Sequence, residues 1–540
     1  MKSSEEGLPQ SAKESISIST TPPRASYLEG AVGGACPPEN KPTGGALDSP
    51  TNVREFRFWS SARRWHRDVW PGIHIPVALL ILALGLVLWW LVPSGLSPQV
   101  WHTFVVFFCT IVGAVFEPLP LTGVCLVSIA LATLTGALTE DQVLSGFADA
   151  AVWLVIFAFF ISSAFVATGL GRRICFIVFK YLGSTTIGLA YGICICGVVL
   201  GLGIPSATAK AVGILLPIIV PLLKEAFQSD PAMGTQRRIG IYLVMVQNAA
   251  TSMSAICWLT AGAWNALMVK FMADAGVELT WLGWAYSLAP VVLVALAAVP
   301  LLIFALCRPE IVRTPEARTA AEERLRQIGR MVLPEKALLV VFILIILLWV
   351  LSSSLPAIFP LTATEVATLG VAALLMLGVI DVKRDIVSDS GAFDLLIWFA
   401  VLVMYAAQLE KAGFWSWLSR KINLRSLSPY PCLCVICLLF TLSQYAFASI
   451  TARVAALYPA FVQISVSAGV PVQVACRALA VCTWAGHITP YSCTSNPAYY
   501  GLGYVTSKRW WLVGIVVMVV NFIVLITVGF GYWWILGYWK

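Results

Sequence analysis

Charge is what this sequence has least of. Only 11% of its 540 residues are Asp, Glu, Lys or Arg, against about 25% in an ordinary soluble domain. A soluble globular chain is therefore excluded, and the 59% hydrophobic content points to an all-α polytopic membrane protein. Histidine is scarce too, at four residues. No intramembrane carboxylate pair or Ser/His arrangement can be placed, so an embedded enzyme is not expected. The chain has 14 Cys, and Cys194, Cys196, Cys432, Cys434 and Cys437 lie in apolar runs. No His or carboxylate nearby completes a ligand set, so no metal is expected. These thiols read as small packing residues. The formal net charge of +8 is scattered through short loops, which excludes a nucleic-acid partner and fits the positive-inside rule.

The opening stretch lacks apolar content. Residues 1–70 are rich in Pro, Gly, Ser and Thr and are expected to be a disordered tail. No apolar core marks a signal peptide there, and Glu5, Glu6 and Glu14 weaken a transit-peptide reading. "REFRFWSSARRWHRDVW" (54–70) reads either as a basic juxtamembrane segment against headgroups or as plain positive flanking charge for the first span.

The rest of the chain is dominated by apolar runs long enough to cross a bilayer, which takes about 20 residues. Spans are expected near 73–94, 101–117, 120–136, 151–181, 238–271 and 281–307, then near 336–356, 362–380, 391–415, 473–503 and 509–535. That is about eleven transmembrane helices. The domain plan is a first span with transport repeat one (71–307), a polar cytosolic linker (308–335) and transport repeat two (336–540). Stretches 186–223 and 430–466 each hold two shorter apolar arms meeting at a polar sequence, the pattern of a re-entrant hairpin. Five spans with a hairpin between the third and fourth recur in each half. An odd number of spans inverts the second unit, and inverted repeats mark secondary transporters. With a cytosolic N-terminus, Arg172, Arg173, Arg237, Arg238, Lys383, Arg384, Lys508 and Arg509 fall inside; Arg420, Lys421 and Arg425 are exceptions. "LTAGAWNAL" (259–267) and "HITPYSCTSNPAYYGLGY" (487–504) interrupt two spans, and Pro490 and Pro497 cannot sit in a helix interior.

The two hairpin tips are "GIPSATAK" (203–210) and "ASITARVA" (448–455). Both hold Ser-x-Thr-Ala followed by a cation, so Ser206, Thr208, Ser449 and Thr451 are matched, as are Lys210 and Arg453. Hydroxyls beside the free N–H groups of a helix start favour an anion. Two such tips suit the two carboxylates of a dicarboxylate. Helix capping is the plainer reading of either copy alone; duplication deep in apolar sequence favours a site.

The segments "YAFASITARVAALYPAF" (445–461), "ITPYSCTSNPAYYGLGYV" (488–505) and "GLGIPSATAKAVGILLPI" (201–218) resemble the divalent anion/sodium symporter family. The resemblance is to its branch of bacterial citrate/succinate exchangers and chloroplast 2-oxoglutarate/malate translocators, over residues 73–540. It implies eleven spans and two hairpins in a homodimer that moves small carboxylate anions by an elevator motion. The family's Ser-Asn-Thr signature falls on Ser206, Ala207 and Thr208 and on Ser449, Ile450 and Thr451. The Asn is missing from both, and a methyl replaces an amide at Ala207. The later site segment falls on Thr489, Pro490, Thr494 and Asn496, with Asn265 as its counterpart in repeat one.

Further candidates are Gln247 and Asn248 as site or packing residues, Glu117 at a membrane edge, and Glu365 and Glu410 as proton relays or interfacial acids. His487 either lines the cavity or packs beside it. The leading function is exchange of dicarboxylates or tricarboxylates such as malate, 2-oxoglutarate, succinate or citrate, with no cofactor. Lys210 and Arg453 would supply the charge that sodium supplies in a coupled relative; the alternative is that they snorkel or pair with an acid. A sodium-coupled dicarboxylate or sulfate symporter is the runner-up, and a channel stands further off. Membrane lipid is the expected surrounding partner, in a plastid inner envelope or a plasma membrane.

Overall fold

The apolar runs fold as helices, because backbone in hydrocarbon must satisfy its N–H and C=O groups within its own segment. The computed structural model describes residues 74–421 and 428–540. The expected tail and basic segment at 1–70, and Arg425, lie outside the described residues. Every named element among the described residues is helical, and one isolated bridge pairs Thr185 with Arg313. Nine helical stretches among these residues are long and apolar enough to cross a membrane, and four shorter apolar helices accompany them.

The first half runs α1 (Ile75–Trp90), α2 (Pro98–Phe116), α3 (Leu121–Leu134), α4 (Ala150–Thr168), α5 (Leu170–Leu182) and α6 (Thr186–Gly201). After a turn, helical chain resumes as α7 (207–226). Its π-helical turns flank Pro217 and Pro221, whose rings and missing N–H groups disturb the regular ladder. Then come α8 (Gly240–Ser254), α9 (Ala263–Asp274) and α10 (Trp281–Cys307). A surface helix, α11 (Pro315–Ile328), precedes the second half: α12 (Leu333–Ser354), α13 (Ala363–Met376), α14 (Ser390–Lys411), α15 (Phe414–Lys421), α16 (Pro429–Leu442), α17 (Ile450–Ser467), α18 (Val472–Val481), α19 (Asn496–Gly501) and α20 (Ser507–Val524). The last continues helically to Ile535.

Two expected spans divide. The run 151–181 breaks at Gly169, which has φ +77°, and 391–415 breaks at Gly413, with φ +71°. Only Gly adopts that conformation without strain, and it commonly ends a helix. Each break is followed by a short helix with one apolar face. α5 buries Leu170, Cys175 and Phe179, while α15 follows Phe414 and Trp415 with Arg420 and Lys421. Apolar residues resume beyond each break, past Arg172 and Arg173 after Gly169 and past Glu410 and Lys411 before Gly413, so counting apolar residues joined what the glycines separate.

α11 packs on α5. Arg173 on α5 and Glu335 on α12 form a buried ion pair at 2.9 Å, and Arg173 also donates to Gly329 O at 2.8 Å. Thr186 N to Val312 O and Thr314 N to Ser184 O, both 3.0 Å, tie the start of α6 to the polar linker. Glu365 belongs to a capping box with Thr362 at the start of α13. Glu117 caps α2 in the left-handed region, exposed.

Candidate functional site

Both Ser-x-Thr-Ala sequences start a helix. Ser206 Oγ accepts from Ala209 N at 3.1 Å, and Ser449 Oγ accepts from Ala452 N at 3.3 Å. The two serines therefore perform the same capping geometry on α7 and α17, which satisfies one orphan donor of each helix start. Thr208 reaches across the molecule: its Oγ1 lies 2.7 Å from Thr494 Oγ1, joining the first tip to the interrupted segment of the second half. At the second tip, Ile450 lies against Gly486. A Cβ added there would stand 2.5 Å from Ile450 Cδ1 and 3.3 Å from Ser252 Cβ. The interrupted segment of the second half thus touches both tips. Ser206, Thr208 and Ser449 are half-buried, Thr494 is exposed and Thr451 is buried.

The interruptions fall slightly earlier than the sequence suggested. α8 ends at Ser254, a 3-10 turn covers Leu259–Ala261, and α9 begins at Ala263. α18 ends at Val481, a 3-10 stretch covers Cys482–His487, and α19 begins at Asn496, with Pro497 in its first turn. Each break is held by an asparagine in the same way. Asn265 Nδ2 donates to Ala255 O and Trp258 O at 2.6 and 2.9 Å, and Asn496 Nδ2 donates to Gly486 O and Thr489 O, both at 2.7 Å. The acceptors lie 10 and 7 residues upstream in both cases. Asn265 and Asn496 are fully buried. The two breaks are therefore one device used twice, and Asn265 is a full counterpart of Asn496.

The motif cations neither snorkel nor pair with an acid. Lys210 is 1% exposed and Arg453 0%, and neither has a carboxylate within ion-pair distance among the described residues. Lys210 Nζ donates to Ala261 O at 3.0 Å. Arg453 donates to Phe440 O at 2.8 Å and to Cys482 O at 3.4 Å, with its guanidinium 4.5 Å from the Phe440 ring centroid. Each cation thus grips the interrupted segment of its own half. A buried charge without a counter-charge is costly, so this arrangement suits an anion that arrives later.

Thr489 is committed to its own turn: its Oγ1 meets Ser492 Oγ and accepts from Tyr491 N at 3.3 Å. Pro490 sits in the same break, half-buried. Asn248 Nδ2 donates to His487 O at 3.2 Å, and Ser252 Oγ donates to Trp484 O at 3.2 Å, so α8 packs onto the second break. His487 is buried, with Nδ1 2.8 Å from Trp484 O. Gln247 is buried beside them on α8.

Sequence reasoning missed the stitches between tips and breaks. Gln444 Nε2 donates to Phe447 O at 3.2 Å and Ser492 O at 2.6 Å. Thr260 Oγ1 donates to Leu202 O at 3.0 Å, and Trp258 Nε1 to Val198 O at 2.9 Å. The signal for Gln444 was an amide in an apolar run, five residues before Ser449; the others carried none.

Apolar helices closing around a buried polar centre, with two uncompensated cations at its edge, define an integral membrane transporter. The chain belongs to the family described as the sodium:sulfate symporter transmembrane region, whose model matches residues 73–539. It is 38% identical over 467 residues to YflS of Bacillus subtilis, provisionally named a malate transporter, covering 85% of this chain and 96% of that protein. It is 34% identical to the chloroplastic dicarboxylate transporter 1 of Spinacia oleracea (87% of this chain, 83% of that one). It is 32% identical to the citrate/succinate antiporter of Escherichia coli K12 (83% and 95%).

Proposed function

We propose that this chain is a secondary active transporter that exchanges dicarboxylates or tricarboxylates, such as malate, 2-oxoglutarate, succinate or citrate, across a plastid inner envelope or a plasma membrane. The observation that carries this reading is the pairing of two capped Ser-x-Thr tips with two buried cations that lack counter-charges. One carboxylate belongs to Ser206, Thr208 and Lys210, the other to Ser449, Thr451 and Arg453. Thr489, Pro490, Thr494, Asn496 and Asn265 shape the carbonyl-lined breaks between them. In this reading 186–223 and 430–466 are re-entrant hairpins, and eleven spans form an inverted repeat around them. The matching Gly169 and Gly413 breaks and the matching Asn265 and Asn496 contacts support that symmetry. The tips and breaks travel together as an elevator body, working beside a second copy of the chain in the membrane. The relatives' names support carboxylate substrates over sulfate.

Exchange follows from the charges. Empty, the body holds two unbalanced cations and does not cross; loaded, the anion balances them. No sodium is needed, because the cations are tethered. The test is uptake of labelled malate or succinate into proteoliposomes, with and without internal counter-substrate, over a sodium series at fixed ionic strength. Loaded vesicles should take up label far faster than empty ones, at a rate independent of sodium. Equal rates in loaded and empty vesicles with a steep sodium dependence would make the chain a symporter and leave Lys210 and Arg453 as bystanders.

A further inference from the structure

We propose that Lys270 is a positioning residue for the transport cycle: an ionic latch, on one face of the molecule only, that sets which side the carrier rests on. This rests on the elevator reading above. Lys270 lies on α9, five residues past Asn265, so it belongs to the body that carries the site. Its Nζ lies 2.9 Å from Asp274 Oδ1 on its own helix and 4.0 Å from Asp149 Oδ2 at the start of α4. Asp149 is fixed in place, because its other oxygen accepts from Ala151 N at 2.8 Å as the cap of α4. The elevator reading counts α4 among the surrounding helices, against which the body slides. A cavity of about 150 Å³ encloses the pair, lined also by Ser145, Glu410 and Lys411. The charged groups facing Lys270 are thus Asp274 from α9, Asp149 from α4, and Glu410 and Lys411 from α14. Removing Lys270 by a slide of one helical turn would leave Asp149 and Glu410 with Lys411 alone.

The symmetry of the molecule makes the pair informative. The start of α14 repeats the cap, with Asp389 Oδ1 accepting from Ala392 N at 3.1 Å. The residue five past Asn496, however, is Gly501. The acid is present in both halves and the cation in one. A slide in either direction therefore meets unequal ends, and the arrangement with Lys270 beside Asp149 is favoured by an attraction that the mirrored end lacks.

A shifted resting equilibrium changes the apparent affinities on the two faces in opposite directions. The measurement is the ratio of half-saturation constants for labelled dicarboxylate in right-side-out and inside-out vesicles. Lys270→Met and Asp149→Asn should each move that ratio by about two- to fivefold in one direction, the range for a partly exposed ion pair. The Asn keeps the cap of α4. The double variant should move it no further than either single, because both remove the same interaction. An unchanged ratio in both singles, or additive shifts in the double, overturns the latch. A second arm tests the motion itself. In Asp149→Cys with Lys270→Cys, a reducible bifunctional thiol reagent should stop exchange, and reduction should restore it, relative to the same variant before treatment. Cross-linked protein that still exchanges overturns the elevator reading. Blocked exchange with an unchanged affinity ratio overturns the latch alone.

Discussion

Ser206 and Ser449 each cap a helix through Oγ, and in the proposed reading the same oxygen also meets a substrate carboxylate. The two roles separate by substitution. Asn caps a helix start as well as Ser does but brings a longer side chain into the anion's place. Ser449→Asn should keep the melting temperature of the purified protein and raise the half-saturation constant for dicarboxylate by about ten- to a hundredfold, which corresponds to one hydrogen bond to a charged group at about 1.5–3 kcal/mol. Ser449→Ala should lose about 1 kcal/mol of stability as well. A Ser449→Asn variant that transports normally would leave Ser449 as a cap and nothing more. Thr451 makes the complementary case, since no capping bond involves it. Thr451→Val should reduce affinity to a similar degree with stability unchanged.

The interrupted segments are where local sequence and tertiary partner both matter. Asn265 and Asn496 each bond two carbonyls of a helix break, of which Trp258 O and Thr489 O also accept from Ala261 N and Ser492 N, and a buried unsatisfied acceptor costs about 1–3 kcal/mol. Asn265→Ala and Asn496→Ala should therefore lower thermal stability by similar amounts and abolish exchange together. A silent Asn265→Ala beside a damaging Asn496→Ala would mean that the halves are not functionally equivalent. The sequence made the breaks legible through Pro490, Pro497 and the polar run around them, and the tips through two copies of Ser-x-Thr-Ala-cation. It named Asn265 as the repeat-one counterpart through the family resemblance alone, because the first break lacks proline, and the shared geometry appears only when the carbonyls 10 and 7 residues upstream are seen. Gly169 and Gly413 were hidden for a different reason: hydropathy registers side chains, and a left-handed glycine changes direction without changing polarity. Thr260, Trp258 and Gln444 bond to carbonyls of a neighbouring segment, and every residue offers a carbonyl, so nothing in the chain marks the acceptor.

Across the whole molecule, in the proposed elevator reading, the charge that travels with the site decides how a membrane potential acts on transport. Lys210 and Arg453 are buried beside the site with no carboxylate in reach, so in the proposed reading they bring two positive charges to the empty site and a bound dicarboxylate balances both. Moving one elementary charge through the full potential changes the energy by about 2.3 kcal/mol per 100 mV, and a balanced site adds nothing to that charge. Exchange of one dicarboxylate for another should therefore proceed at the same rate with the potential clamped at zero or at about 100 mV of either sign, a drop that would shift a singly charged step by about 2.3 kcal/mol. A fully ionised tricarboxylate leaves the loaded site with one net negative charge. Exchange of citrate for succinate should then speed up or slow down with the sign of the potential, and reverse that response when the two substrates trade sides. The measurement is initial exchange in proteoliposomes with a potassium gradient and valinomycin setting the potential. A dicarboxylate exchange that follows the potential would mean that at least one of Lys210 and Arg453 does not travel with the substrate as a charge. Lys210→Met would then identify it: the variant should make dicarboxylate exchange potential-sensitive if Lys210 travels charged, and should leave an already sensitive exchange unchanged if it does not.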